Sequence, residues 1–111
     1  RRLLLNEFLS CFSDIDIIVS PTVPLTAWRI GENSVQIANK IESVLSASWR
    51  LTYPFNLVGL PAISLPCGFD SKGLPIGLQL ASRPFGEKDL LRLSYAFEKN
   101  SNMSSFRPVL A

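Results

Sequence analysis

The chain has 111 residues, of which 47% are hydrophobic, and a formal net charge of +2. This length and apolar content are typical of one globular unit and exclude a disordered chain. The basic residues are scattered, and no apolar stretch approaches the roughly 18 residues that span a bilayer, so neither nucleic acid nor a membrane is expected as a partner.

Ligands for a metal ion are scarce in this sequence. There is no histidine, and the two cysteines, Cys11 and Cys67, stand far apart with no C-x-x-C pair. A zinc site would need both thiols plus carboxylates, so we expect no metal, and no nucleotide or organic cofactor is implied. We interpret the thiols as free and buried in a cytoplasmic protein, with one disulfide as the alternative.

The first third of the chain predicts a helix, a strand and a loop. Residues 3–12 carry apolar side chains at the i, i+3, i+4, i+7 spacing of a helix with one apolar face. These are Leu5, Phe8, Leu9 and Phe12. The β-branched residues 15–19 predict a buried strand, and residues 20–33 predict a proline-containing loop.

A capping-box pattern at residues 33–36 (NSVQ) predicts that a second helix begins at Asn33. Its apolar side would carry Ile37, Ile41, Val44, Leu45 and Ser48. Because the residue before a proline is pushed out of helical geometry, this helix should end near Tyr53. A short turn over residues 55–58 is expected to end at Gly59 in a left-handed conformation.

The last part of the chain predicts a β-hairpin and a closing helix. Residues 62–65 and 75–81 form the strands, and residues 70–73 (DSKG) form a tight turn between them. Gly77 indicates a bulge or a close backbone approach. The final helix, residues 87–100, should face Leu90, Leu93 and Phe97 inward. The sum is three strands and three helices, an α/β arrangement whose sheet has an open apolar edge.

Four segments in this order resemble the C-terminal part of the amidase signature family. They are DIIVSPT at residues 16–22, PFNLVGLPA at residues 54–62, GLPIGLQ at residues 73–79, and the stretch from Pro84-Phe85 to Phe97-Glu98. The resemblance implies an α/β fold with a mixed sheet flanked by helices. Residues 1–111 are then a single segment, the C-terminal fragment of an amidase-signature-like domain.

The family resemblance implies hydrolysis of a carboxamide C–N bond. A serine attacks the carbonyl, and a lysine acts as base through a second serine, which meets the general need to activate a hydroxyl nucleophile. No Gly-Gly-Ser-Ser-Gly loop is present here, so the catalytic residues are expected upstream. This chain therefore supplies no catalytic residue and should be inactive by itself.

The segment before Pro54 borders the acyl-binding pocket in the family. Members that use glutamine carry an aspartate at the position matching Trp49, so the indole favours an uncharged aryl or aliphatic amide. The alternative is that Trp49 belongs to the core. Thr52, Tyr53 and Asn56 lie in the same segment, and Asn56 is as well explained by a hydrogen bond to the turn backbone.

Pro21 and Thr22 are the remaining candidates for contact with substrate. They follow a strand at its C-terminal end, where α/β sheets tend to bind ligands. A purely structural loop is the alternative, and it is the one we favour for a Pro-Thr pair.

These observations predict part of an amidase that acts on a small-molecule amide, with a homodimer left open as its assembly. Two other functions stay open. One is a non-catalytic fragment or binding module, and the other is an amidotransferase subunit that uses glutamine. Trp49 argues against the last.

Overall fold

The computed structural model describes residues 1–107, in which helices pack on both faces of a small antiparallel sheet. The elements in chain order are α1 (Arg2–Cys11), β1 (Ile17–Pro21), β2 (Ser34–Ile37), β3 (Lys40–Ser43), α2 (Val44–Trp49), α3 (Tyr53–Val58), β4 (Ala62–Phe69), β5 (Pro75–Ser82), α4 (Glu87–Ser101) and a 3₁₀ turn (Met103–Ser105). None of the helices among residues 1–107 is long and apolar enough to cross a membrane.

The main sheet has the strand order β1-β5-β4, with antiparallel pairing throughout. Ile18 of β1 and Ala62 of β4 both lie opposite Ala81 of β5. Since side chains alternate between the faces of a strand, Ala81 points to one side of the sheet and Leu80 to the other. Each side therefore has its own small core.

The first core joins the sheet to α1 and α3. Phe55, Val58, Leu60 and Ala81 are buried there, and apolar side chains of α1 cover them. The ring centroids of Phe8 and Phe55 are 5.3 Å apart. The apolar face of residues 3–12 thus packs much as predicted, except that Leu9 is 41% exposed.

The second core lies between the opposite face of the sheet and α4. Leu65, Leu80 and Leu90 are buried in it, and Phe97 is packed against them. Leu90 and Phe97 face inward as predicted, but Leu93 does not, because it is 42% exposed. The predicted α/β fold with flanking helices is confirmed.

The β4–β5 hairpin and its turn are confirmed. Gly73 has a φ of 78°, and the Asp70 amide donates to the carbonyl of Leu74 at 2.9 Å. A register shift at Cys67, between Pro66 and Gly68, places the bulge on β4, across from Gly77. Gly77 itself serves a close approach, since a Cβ there would lie 2.8 Å from Oγ1 of Thr22.

The helix predicted from Asn33 is wrong over its first half. Residues 34–43 form an antiparallel hairpin instead, and the helix begins only at Val44. Val35 and Ile37 alternate with polar neighbours along β2, a period that favours a strand. The side chain of Gln36 donates to the carbonyl of Ala38 in the turn and does not reach back to cap a helix.

The chain between residues 44 and 59 forms two short helices where one long helix and a turn were predicted. The first ends at Trp49, and the second begins at Tyr53 with Pro54 in its first turn, where a missing N–H costs nothing. Gly59 ends α3 with a φ of 78°, as predicted.

The state of the two cysteines is half as predicted. Cys11 and Cys67 are both free, but both are exposed, so the prediction of buried thiols is wrong. Cys11 lies on the open side of α1, and the Cys67 thiol sits at the bulge, 3.5 Å from the carbonyl oxygen of Ile76.

Candidate functional site

An open groove of about 470 Å³ runs along α2 and the start of α3. Its lining consists of Ser43, Leu45, Ser46, Trp49, Arg50 and Tyr53. We call this feature the aromatic groove. The volume lies within the range of small-molecule sites, and most of the lining carbon comes from Trp49, Tyr53 and Leu45.

The start of α2 directs Trp49 outward. Ser43 caps the helix, because its Oγ accepts from the backbone N–H of Ser46 at 3.1 Å. Ala47 is fully buried, so the face of the helix that carries it points to the protein interior. Trp49 is 44% exposed and forms part of the groove wall.

Tyr53 completes the aromatic wall. The ring centroids of Trp49 and Tyr53 are 6.2 Å apart with an angle of 82° between the planes, an edge-to-face arrangement. Tyr53 is 52% exposed, so both rings offer surface to a ligand. The structure thus brings these two predicted residues together.

Thr52 supports this wall from behind. The carbonyl of Trp49 accepts from the backbone N–H of Thr52 at 3.1 Å and from its Oγ1 at 3.3 Å. Both bonds close the turn between α2 and α3. Thr52 is half-buried and lies outside the groove lining, so it fixes the position of Trp49.

Arg50 gives the aromatic groove its one charged lining residue among residues 1–107. Its guanidinium is paired with the carboxylate of Glu42 on β3. The Arg50 side chain is 41% exposed and that of Glu42 is 20% exposed. The groove therefore presents aromatic rings beside a cation that already has a counter-ion.

Gln79 ties the groove segment to the centre of the sheet, and the sequence analysis missed this role. Its side chain is buried, with Nε2 donating to Leu51 O at 3.0 Å and to Ser20 Oγ at 3.1 Å. Leu51 lies between α2 and α3, so one amide holds the link that carries Trp49 and Tyr53. A buried glutamine within an apolar strand is the signal that could have found it.

Asn56 lies apart from the aromatic groove. It is exposed and lines a second cleft of about 360 Å³, shared with Gly59, Pro84 and Phe85. Within residues 1–107 its side chain makes no hydrogen bond, so the expected bond to the turn backbone is not formed.

Pro21 and Thr22 also lie outside the aromatic groove. Oγ1 of Thr22 is 2.6 Å from Oγ of Ser64, and its N–H donates to the carbonyl of Gly77 at 2.9 Å. Thr22 thereby extends the pairing of β1 with β5. Pro21 is the last residue of β1.

No group of three or more histidine, cysteine, aspartate or glutamate side chains in the described part of the chain is placed to hold a metal ion. Likewise, within residues 1–107 no lysine is hydrogen-bonded to a serine. The groove can bind and orient a ligand through aromatic, apolar and guanidinium groups.

The described residues thus form an α/β unit with helices on both faces of its sheet and a groove of small-molecule size. A family model described as Amidase matches residues 1–91, so the chain belongs to the amidase family.

Relatives of the chain are amidotransferase subunits and amidases. The chain is 44% identical to the A-type subunit of glutamyl-tRNA(Gln) amidotransferase from Thermodesulfovibrio yellowstonii, over 99% of its own length and 22% of that protein. A crystal structure of the corresponding Thermotoga maritima protein matches with a TM-score of 0.75 and 39% identity, over 90% of this chain and 21% of that one. A crystal structure of an amidase matches with a TM-score of 0.85 and 27% identity, over 90% and 23%. The chain spans about a fifth of the length of the curated relatives it matches.

Proposed function

We propose that this chain forms part of the acyl-binding wall of an enzyme that hydrolyses a carboxamide C–N bond. The observation that carries the proposal is the exposed Trp49–Tyr53 pair in the aromatic groove of a chain that belongs to the amidase family. Two ring surfaces with a paired cation beside them suit an uncharged aryl or aliphatic acyl group.

The division of labour follows from the resemblance. A serine outside this chain would attack the amide carbonyl carbon, with a lysine and a second serine moving its proton. The C–N bond then breaks, the amine leaves, and water hydrolyses the acyl-serine ester. The residues of this chain bind the acyl group, orient it and exclude water from it.

A second candidate is a glutamine-using amidotransferase component. The relative at 44% identity is named as a glutamyl-tRNA(Gln) amidotransferase subunit, which favours it. Such a protein would work in a complex with other chains. Against it, a free amino acid carries an ammonium group, and the groove has no unpaired carboxylate to receive that charge.

The experiment begins with the coding DNA upstream of Arg1. The complete reading frame is expressed and assayed for ammonia release from benzamide, hexanamide and L-glutamine. We expect benzamide to exceed glutamine, and Trp49→Ala to lower kcat/KM for benzamide about tenfold, since part of one aromatic contact is lost. Trp28→Ala is the matched control, because Trp28 is a similarly exposed indole in the loop after β1 and lies outside the groove.

Three results would contradict the proposal in different ways. Preferred release from glutamine, enhanced by Trp49→Asp, would support the amidotransferase candidate. Equal effects of Trp49→Ala and Trp28→Ala would remove Trp49 from the binding wall. A frame without a catalytic serine and lysine, and without amide hydrolysis, would leave a binding module.

A further inference from the structure

We propose that Glu42 sets the charge of the aromatic groove by neutralising Arg50, and so restricts the groove to amides whose acyl group is uncharged. This inference rests on the proposed function, since it names the substrate class for the same groove. It assigns a role to a hairpin that the sequence analysis did not recognise.

The position of the pair follows from local structure. Arg50 comes directly after Trp49 at the end of α2, and its side chain lines the groove. Glu42 lies on β3, opposite Val35 of β2. The N–H of Val44 donates to the carbonyl of Asn33 at 3.1 Å, which joins the base of the hairpin to the start of α2. The hairpin thus holds a carboxylate against the last residue of the aromatic wall.

The charge balance of the lining decides which ligand fits. Within the described part of the chain, Arg50 is the one charged residue that lines the groove, and Glu42 is the group paired with it. A carboxylate on the ligand would have to leave water for a wall of Trp49 and Tyr53 with no free cation, and burying an unpaired charge is costly. An uncharged aryl group meets no such cost.

The exposure of the pair argues that its main effect is on the ligand. Half-exposed ion pairs contribute little to folding stability. Removing the Glu42 charge should therefore leave the fold intact and release the Arg50 guanidinium toward the groove. The substitution is for that reason a clean test of specificity.

The test uses the complete reading frame and two probes that differ by one carboxylate, benzamide and 4-carboxybenzamide. Glu42→Gln is expected to lower the benzamide-to-4-carboxybenzamide ratio of kcat/KM about fivefold, the size of one half-exposed charge pair. The shift should shrink in about 0.5 M salt, because salt screens such charges. Arg50→Met should raise the ratio, since it leaves Glu42 unpaired.

Two variants complete the design. Glu32→Gln is the control, because it removes the same charge from a residue whose carboxylate meets only the backbone N–H of Arg29. The double variant Glu42→Gln with Arg50→Met should return to the wild-type ratio, as expected when two residues act through each other. A Glu42→Gln ratio equal to that of Glu32→Gln, with benzamide still hydrolysed, would overturn the inference and leave the proposed function standing.

A binding measurement separates failure of the groove from failure of catalysis. In a Trp28→Phe background, fluorescence of Trp49 reports benzamide and 4-carboxybenzamide at equilibrium. The same shift in the ratio of their Kd values, without hydrolysis of any amide, would support the charge role of Glu42 and contradict the proposed function. Hydrolysis of glutamine without binding of benzamide would contradict the inference alone.

Discussion

Asp70 joins the hairpin turn to the distant loop that follows β1. Its Oδ1 accepts from the N–H groups of Lys72 at 2.8 Å and Leu74 at 2.9 Å, and its Oδ2 accepts from Oγ1 of Thr26 at 2.7 Å. The Thr26 hydroxyl, followed by the Leu74 amide, lowers the pKa of Asp70 from its ordinary value of 3.8. These bonds favour the ionised carboxylate in the folded chain.

The lowered pKa of Asp70 predicts a pH-dependent part of the stability. A depressed carboxyl pKa stabilises the fold above the unfolded value of about 3.9, and this contribution is lost as pH falls through the folded pKa. The difference in urea midpoint between wild type and Asp70→Asn should be constant above that value and shrink below it. Asp14→Asn is the control, an exposed aspartate whose carboxylate makes no hydrogen bond within residues 1–107. Equal pH profiles for Asp70→Asn and wild type would contradict the prediction.

At the scale of elements, the sequence predicted what depends on neighbours along the chain. The period of Leu5, Phe8 and Phe12 and the Asp-Gly turn of the β4–β5 hairpin are local signals, and both elements formed. The error at Asn33 has a local cause too. Ile37, Ile41 and Val44 satisfy a helical spacing as well as a strand, and the turn between β2 and β3 uses Ala38 at a φ of 51°, which no turn signal announces.

The groove was predictable only in part for the same reason. Trp49 and Tyr53 are close in sequence, so their meeting across the turn at Thr52 is a local event. The pairing of Glu42 with Arg50 needed the hairpin, and the anchor from Gln79 to Leu51 joins residues far apart in the chain. Contacts of that kind depend on the tertiary arrangement.

Gln79 predicts coupling between the sheet and the groove. Gln79→Met keeps the side-chain size but leaves Leu51 O and Ser20 Oγ without their donor, which should cost about 1–3 kcal/mol of unfolding free energy. The α2–α3 link should loosen, so the affinity of the groove for benzamide should fall as well. The same change at exposed Gln36 is the control. Loss of stability with unchanged benzamide affinity would show that the anchor serves the fold alone.

At the scale of the whole molecule, the chain exposes more surface than a compact unit of its mass. Its accessible area is 8206 Å², against roughly 6100 Å² for a compact monomer of this size. Its radius of gyration is 15.8 Å, against roughly 13 Å expected. The excess includes large apolar side chains on several elements, among them Val19 at 57% and Leu91 at 62% exposed. Such a surface favours association.

The edges of the sheet indicate where chains of residues 1–111 should associate. Within residues 1–107, β1 and β4 each pair on one side only, and β4 is blunted by Pro66 and its bulge. We therefore expect the chain to self-associate through β1 as its concentration rises. Val19→Lys should shift sedimentation toward monomer, because an edge lysine opposes strand pairing. Leu91→Lys on α4 adds the same charge away from the edge and should have a smaller effect. A monodisperse monomer at all concentrations would instead favour a self-sufficient binding module, because the apolar surface would then need no second chain.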